Sequence, residues 1–339
     1  MELARRASLK VMYSGTDISK YINNQISSFS YVDCAKGEAD TIDITLSDDN
    51  NDWINNNMLN KYDHIYAEIN TLNWNKFGET QKLNCGDFLI DEPSFSGPPD
   101  TVVIQAISKP SNSNFTETKN SKVWINATVE EIANEIAKRN GLKLFYDADR
   151  ITVGTSEQSE NSDMSYLTEL TEAYGLAFKL TDKTIVIFSE KQYESKQAVY
   201  TVVKNNKDTI SYDFKSQLTN TAYDSCKITY IDTDGTYKEY KYSIYEPKDN
   251  EKLKEYKINT IAKSYAEAEI LVMSKLRQLN KKEVTGSITL IGNVSLVGGV
   301  NINVSGFGKF DGKYFVDRAT HELPNYNTMI EIHKCLEGY

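Results

Sequence analysis

Cys85-Gly86-Asp87-Phe88-Leu89-Ile90-Asp91-Glu92, the loop Ser96-Gly97-Pro98-Pro99-Asp100, and Thr101-Val102-Val103-Ile104-Gln105-Ala106 form one continuous passage of the chain. Two β-rich runs flank a connection made rigid by its prolines, since each proline fixes φ and lacks a backbone donor. The same grammar extends upstream. In Thr41-Ile42-Asp43-Ile44-Thr45-Leu46 and His64-Ile65-Tyr66-Ala67-Glu68-Ile69, apolar and polar residues alternate with period two, so Ile42, Ile44 and Leu46 share one face of a strand. Asn, Asp and Gly clusters separate these runs. Residues 1–110 therefore read as an antiparallel barrel or sandwich.

Downstream, apolar residues disappear at Ser111-Asn112-Ser113-Asn114 and a helical signal follows. Thr128 with Glu131 is a capping box, Ile132 and Ile136 lie one turn apart beside Ala133 and Ala137, and Gly141 stands at the C′ position. A strand at 142–146 precedes a second helix near 163–174, with Met164, Leu167 and Leu170 on one face and Gly175 closing it. Runs 176–180 and 184–188 form a hairpin around Thr181-Asp182-Lys183. Residues 113–197 thus read as a small α/β module in the order helix, strand, helix, strand, strand.

Residues 198–339 return to strands, at 200–203, 225–231 and 237–243, the last two joined through Asp234-Gly235. One long helix is marked by Ser264 and Glu267 as a capping box. Its apolar stripe runs through Ala268, then Leu271 or Val272, Lys275 or Leu276, and Leu279 to Asn280. Strands follow at 287–291, 300–304, 313–316 and 328–333, with Gly298-Gly299, Gly306, Gly308 and Gly312 as turns or bulges. This third segment reads as a second β domain with one flanking helix, 264–280.

The 339 residues (38.5 kDa) suffice for two or three domains at roughly 150 residues each. Exchanging the 22 Tyr of the 40% hydrophobic set for the 17 Gly leaves about 38% apolar, below the roughly 45–50% of an average globular chain, so modest cores are expected. No apolar run approaches the length of a membrane span, and Met1-Glu2-Leu3-Ala4-Arg5-Arg6 leads into polar sequence unlike a signal-peptide core. A formal charge of -10 argues against binding nucleic acid through its phosphates. The four cysteines, Cys34, Cys85, Cys226 and Cys335, are too scattered for a zinc site or a disulfide framework and read as reduced thiols.

The chemistry-bearing residue types have ordinary readings. His321-Glu322 resembles the opening of a zinc-protease helix, but the fifth position is Asn325 and Pro324 would break the helix. His333 and Cys335 could share a strand face, yet no second pair completes a tetrahedral site. Asp147/Asp149 and Asp232/Asp234 lack the further oxygens and closing Glu of a calcium loop. Gly306-Phe307-Gly308-Lys309 and Gly312-Lys313-Tyr314 lack the Ser or Thr and the following helix of a phosphate loop. No nucleophile elbow is present. No catalytic, cofactor-binding or metal-ligating residue is assigned, no cofactor is implied, and enzymatic activity has no positive support.

Three collinear stretches carry a specific resemblance. Gly86-Asp87-Phe88-Leu89-Ile90-Asp91-Glu92 with Ser96-Gly97-Pro98-Pro99-Asp100-Thr101-Val102 is the first. Ser162-Asp163-Met164-Ser165-Tyr166-Leu167 before Tyr174-Gly175 is the second. Gly306-Phe307-Gly308-Lys309-Phe310-Asp311-Gly312-Lys313-Tyr314-Phe315-Val316 with His321 and Tyr326 is the third. Together they resemble the late control protein D family, baseplate hub proteins of contractile-tailed phages and phage-tail-like particles. The resemblance implies two tail-tube-like antiparallel β-barrel domains, 1–112 and 198–339, flanking the α/β insert 113–197. It implies a homotrimer whose six barrels adapt a threefold spike to the sixfold tail tube of a phage or R-type bacteriocin. Tail tube protein, central spike and baseplate wedge proteins would be the partners, with tape-measure protein or DNA passing through the lumen. Surplus acidic residues lining that lumen would repel DNA. Assembly in the bacterial cytoplasm, then residence in the released particle, is implied as well. The sequence shows no inserted lysozyme-like domain and no spike-like β-helix repeat, and it does not identify partner-binding residues. Two rivals are a cell-wall hydrolase with dispersed catalytic residues, and a wall-, peptide- or glycan-binding role for 113–197.

Overall fold

The computed structural model describes residues 4–57, 59–108, 114–181, 183–246 and 253–337. The polar stretch Ser111-Asn112-Ser113 and the turn residue Asp182 lie outside them. The chain begins with β1 (Arg6–Tyr13), β2 (Thr16–Asp17), α1 (Ser19–Gln25), β3 (Ile26–Cys34), β4 (Thr41–Ser47), β5 (His64–Leu72), β6 (Thr80–Ser96) and β7 (Thr101–Ile107). These strands surround one core. Ile42, Ile44 and Leu46 all point into it and are fully buried, as the alternation requires, beside Val11, Ile65, Ile69, Ile90 and Ile104. The two runs around the proline loop are β6 and β7, in antiparallel register from Leu89↔Ile107 to Ser96↔Thr101.

Next come α2 (Asn114–Glu117), β8 (Lys119–Thr128), α3 (Val129–Arg139), β9 (Lys143–Asp147), β10 (Thr152–Ser162), α4 (Asp163–Ala173), β11 (Leu176–Thr181), β12 (Thr184–Ser189) and α5 (Glu190–Ser195). Both halves of the Thr128/Glu131 capping box form, and Gly141 takes φ +67° just beyond the Asn140 cap. Helices α3 and α4 bury Ile132, Ile136, Leu167 and Leu170 against the sheet β11-β12-β9, in which β9 and β12 run parallel. The sequence order misses β8 and β10, a ribbon of paired strands. Its buried apolar residues are Trp124, stacked on Tyr166 at 5.0 Å, and Val153, while its other buried positions, Thr128, Gln158 and Ser162, are polar, so period-two apolar alternation hardly exists in it.

The last segment holds β13 (Ala198–Val203), β14 (Thr209–Ser216), β15 (Ser225–Ile231), β16 (Tyr237–Ser243), β17 (Glu255–Ala262), α6 (Tyr265–Asn280), β18 (Val284–Ile291), β19 (Asn301–Ser305), β20 (Gly312–Leu323) and β21 (Asn327–Lys334). It divides between two cores. Strands β15, β16 and β17 form a separate sheet on which α6 packs Ala268, Val272 and Leu276. The other strands of the segment belong to a thirteen-stranded sheet in the order β14-β18-β21-β20-β3-β4-β7-β6-β5-β1-β2, with β19 on β20 and β13 on β19. Their core contains Ile288, Ile302, Tyr314, Val316 and Ile330. Ser264 caps α6 by accepting from the Glu267 N–H, but the Glu267 carboxylate takes the Lys263 N–H at 2.6 Å and the Tyr174 hydroxyl at 2.6 Å, which ties α6 to the α/β module.

The fold is thus mainly β, with two largely antiparallel β units flanking a small α+β insert, the second departing from the expected antiparallel pattern in the parallel pairs β13/β19 and β15/β17. What joins the units is β20. Its first half pairs with β19, its chain shifts register between Val316 and Arg318, and its second half pairs with β3 from Arg318↔Cys34 to Leu323↔Phe29. Tyr326 and Leu323 enter the first core, and Trp74 donates its indole N–H to the Gly292 carbonyl at 2.5 Å. No helix among the described residues is long and apolar enough to cross a membrane.

Candidate functional site

The residues singled out by chemistry in the sequence are not brought together. His321 lies on β20, not on a helix. It is fully buried, with Nε2 2.9 Å from the Leu296 carbonyl and Nδ1 3.0 Å from the Tyr326 hydroxyl, and burial pushes its pKa down to about 4. Asp147 accepts from the Tyr193 hydroxyl at 2.7 Å and Asp149 from the Gln192 amide at 3.0 Å, so this pair anchors α5. Asp234 accepts from the Thr236 N–H at 2.9 Å and Asp232 pairs with Lys238, closing the β15–β16 hairpin. Lys309 lies in a short 3₁₀ turn with its ammonium 5.0 Å from the Phe310 ring. Burial pushes the Cys34 thiol up to about 11 and those of Cys226 and Cys335 up to about 12, which leaves little thiolate for nucleophilic work. Among the described residues no three His, Cys, Asp or Glu side chains are grouped to hold a metal ion.

The structure does concentrate charge where its units meet. The end of β3 and the loop to β4 carry Asp33, and then Lys36 and Asp40, toward the α/β module, and the Gly37 N–H bonds to the Phe178 carbonyl at 2.9 Å. Lys179 of β11 reaches across to Asp33 at 2.5 Å and Asp40 at 2.9 Å. Burial alone would lower the lysine pKa, but the two carboxylates outweigh it and hold it raised, while burial lifts Asp40 to about 6. Asp33 also accepts the Gly298 N–H at 3.1 Å, and Asp40 the Cys34 N–H at 3.0 Å.

A second group lies around α5. Glu190 receives Lys36 at 2.6 Å and Lys281 of α6 at 3.0 Å, and these two cations overcome its burial to hold it down at about 2. One turn on, Glu194 receives Arg277 of α6 at 2.8 Å and the Leu336 N–H at 3.0 Å. His333 of β21 lies between Glu194, at 3.5 Å, and Asp317 of β20, at 2.7 Å. Burial would discharge this imidazole, yet Asp317 and Glu194 raise it to about 9, so it is a cation at neutral pH. Phe315, Ala35, Ala177 and Phe188 form the small apolar core beneath.

Every unit therefore contributes to one desolvated ionic junction. Such a joint adds little net stability over an apolar one, but removing a single partner strands a buried charge, so it fixes orientation. Sequence reading missed it because the partners are remote in the chain. The one local trace is the one-turn spacing of Glu190 and Glu194. A similar carboxylate organises the module itself: Asp163 accepts from Arg139 Nε at 2.7 Å, Asn140 at 2.7 Å and Gln158 at 2.9 Å, and these donors outweigh its burial and lower its pKa. The junction can position rigid bodies; among the described residues no nucleophile or oxyanion donor set converges in it.

Comparison with known proteins accords with that geometry. The family model described as phage tail baseplate hub (GPD) matches residues 101–326. A probable baseplate hub protein of Escherichia phage 186 is 31% identical over 165 residues, which span 47% of this chain and 39% of that relative's length. Among solved structures, the tail protein from Neisseria meningitidis MC58 superimposes with a TM-score of 0.72 at 12% identity, covering 97% of both chains. The 43 kDa tail protein of prophage MuSo2 from Shewanella oneidensis gives 0.70 at 10% identity, covering 97% of this chain and 98% of that one. The E. coli c3393 protein, a component of the type VI secretion system with structural similarity to T4 tail proteins gp27 and gp5, gives 0.54 at 11% identity, covering 93% and 75%. These likenesses establish the fold over nearly the whole chain, and the family match covers two thirds of it: the chain belongs to the phage tail baseplate hub (GPD) family.

Proposed function

We propose that three copies of this chain close into a ring at the centre of a baseplate and adapt a threefold spike to a sixfold tail tube. The observation that carries this reading is the β3–β20 seam, by which a single chain holds two barrel-type β units in one continuous sheet. Three chains then present six such units, and head-to-tail contacts between them close a ring. The division into 1–112, 113–197 and 198–339 is part of the proposal. It is supported by separate cores in the first two segments, while α6 and its sheet lean on the second. The tail tube protein, central spike and wedge proteins are the proposed partners in a phage or bacteriocin particle assembled in the cytoplasm. The lumen, lined by part of the surplus acidic residues, passes tape-measure protein or DNA.

The role is structural, not hydrolytic. Mass measurement in solution followed by negative-stain imaging tests it: a threefold ring with six peripheral lobes is expected, and a strict monomer at high concentration refutes it. Incubation with purified cell-wall material is expected to show no turnover. Turnover abolished by a single carboxylate or histidine substitution would establish the hydrolase reading instead.

A further inference from the structure

The three-stranded sheet of the α/β module treats its two edges unequally. Along β11 the edge meets the β3–β4 loop, whose Gly37 N–H bonds to the Phe178 carbonyl at 2.9 Å. At the other edge β9 pairs, among the described residues, with β12 alone, in parallel from Lys143↔Thr184 to Asp147↔Phe188. The Lys143 N–H bonds to the Lys183 carbonyl at 3.0 Å, so Lys143, Phe145 and Asp147 direct their backbone groups at β12, while Leu144 and Tyr146 turn theirs outward. The centre of this edge, Leu144-Phe145-Tyr146, has neither a charge nor a proline to guard it.

A groove of about 530 Å³ opens between this edge and the start of α3, lined by Glu130, Glu131, Asn134, Leu144, Phe145 and Tyr146. Its two walls select different chemistry. The β9 wall offers N–H and C=O groups two residues apart, a spacing that an extended chain matches along its length. The α3 wall is acidic. Glu130 is exposed and forms no ion pair among the described residues, and Glu131, whose Oε2 accepts the Thr128 N–H at 2.8 Å, meets the exposed Arg150 only at 3.9 Å. The module around them has the same sign: residues 113–197 hold 10 Lys and Arg against 14 Asp and Glu, net -4, which draws cations toward the groove. The faces of β9 then divide the partner's side chains. Leu144 and Tyr146 lie on the face that packs with α3, whereas Phe145, 50% exposed, shares the opposite face with its neighbour Val186. A strand laid beside β9 places the residues opposite Leu144 and Tyr146 on the α3 side and the residue between them beside Phe145.

We propose that β9 accepts, as an added antiparallel strand, an extended segment of a partner protein in which Lys or Arg stands on either side of an apolar residue. The two cationic residues exchange main-chain hydrogen bonds with Leu144 and Tyr146, the antiparallel arrangement being the stronger per residue. Their aliphatic stems cover Leu144 and Tyr146 while their charges reach Glu130 and Glu131, and the apolar residue between them covers Phe145. The groove is complete within one chain, so this binding does not depend on ring closure.

The test is fluorescence anisotropy of a labelled peptide with the core Thr-Lys-Val-Lys-Thr titrated with the full chain, with thermal melts by circular dichroism to verify that each variant folds. Saturable binding is expected. Glu130→Lys, or exchange of both peptide lysines for glutamate, should weaken it by about tenfold or more. N-methylation of both lysine main-chain amides, which keeps the charge and deletes the donors, should weaken it as much. Leu144→Pro should act likewise, because it removes an outward N–H and no bond of the sheet. Bound peptide should slow hydrogen exchange across residues 143–147. The absence of saturable binding at millimolar peptide overturns the proposal. So does an N-methylated peptide that binds as well as the parent peptide, or spermidine that competes as well, since either outcome reduces the groove to a trap for cations. If sedimentation velocity shows the chain associating with itself and Leu144→Pro dissolves that assembly, the occupant is a second copy and the assignment to a basic partner is wrong.

Discussion

His333 shows how far a side chain's role departs from its type. As a histidine two residues from a cysteine it was a candidate ligand; in the fold it is a buried cation between Asp317 and Glu194. Its folded pKa of about 9 exceeds the ordinary 6.5. The stabilisation is therefore complete below pH 6.5 and lost as pH rises through 9, with roughly 3 kcal/mol at stake. Urea unfolding across that interval should show the midpoint falling with pH, and His333→Gln should flatten the dependence while lowering stability at neutral pH. Asp163→Ala strands Arg139 among polar groups and is expected to cost roughly 3–5 kcal/mol, read by the same unfolding curves. Neither carboxylate nor imidazole advertises its partners locally, because those partners come from other elements.

Among the elements, α3 was legible to the residue: cap, box, apolar stripe and terminal glycine are all local instructions, and all are used. Thr128→Ala should cost about 1 kcal/mol, measurable as a lower unfolding midpoint with little change in m-value. Helix α6 was equally clear in extent, but half of its expected box is diverted: Glu267 bonds Lys263 and Tyr174, so a capping residue serves as an inter-unit clamp. The ribbon β8–β10 was illegible for the opposite reason. Its apolar residues do not alternate with polar ones: Val123 and Ile125, at 51% and 70% exposure, flank the buried Trp124 in one consecutive run, and pairing is imposed by the register to a remote partner. Strands β14 and β17 escaped notice on the same ground, since their outward residues mix apolar with charged types.

For the whole molecule, stability and orientation meet at the seam and the ionic junction. A Cβ on Gly298 would stand 2.6 Å from the Ala35 nitrogen and 2.8 Å from the Cys34 carbonyl carbon, backbone atoms that cannot step aside. Gly298→Ala should therefore open the approach of the 298–299 turn to the end of β3, with a cost of about 1–3 kcal/mol and faster amide exchange along β3 and β20. Lys179→Met leaves Asp33 and Asp40 without their cation. It is expected to lower stability by roughly 3–5 kcal/mol and to split a single calorimetric transition as the α/β module loosens from the sheet. The alternation of Ile42, Ile44 and Leu46, the proline-bounded hairpin, the three helices with their caps, and the collinear motifs were written in the sequence alone, because each is a short-range rule about which face a residue occupies. That β20 would leave β19 for β3, fuse two β units into one sheet, and gather five acidic and five basic groups between units was settled only by tertiary structure. A strand's unsatisfied edge and a charge's need for a counter-ion are demands without an address. Any distant segment with a matching edge or opposite charge can meet them, and only the packed chain selects which one does.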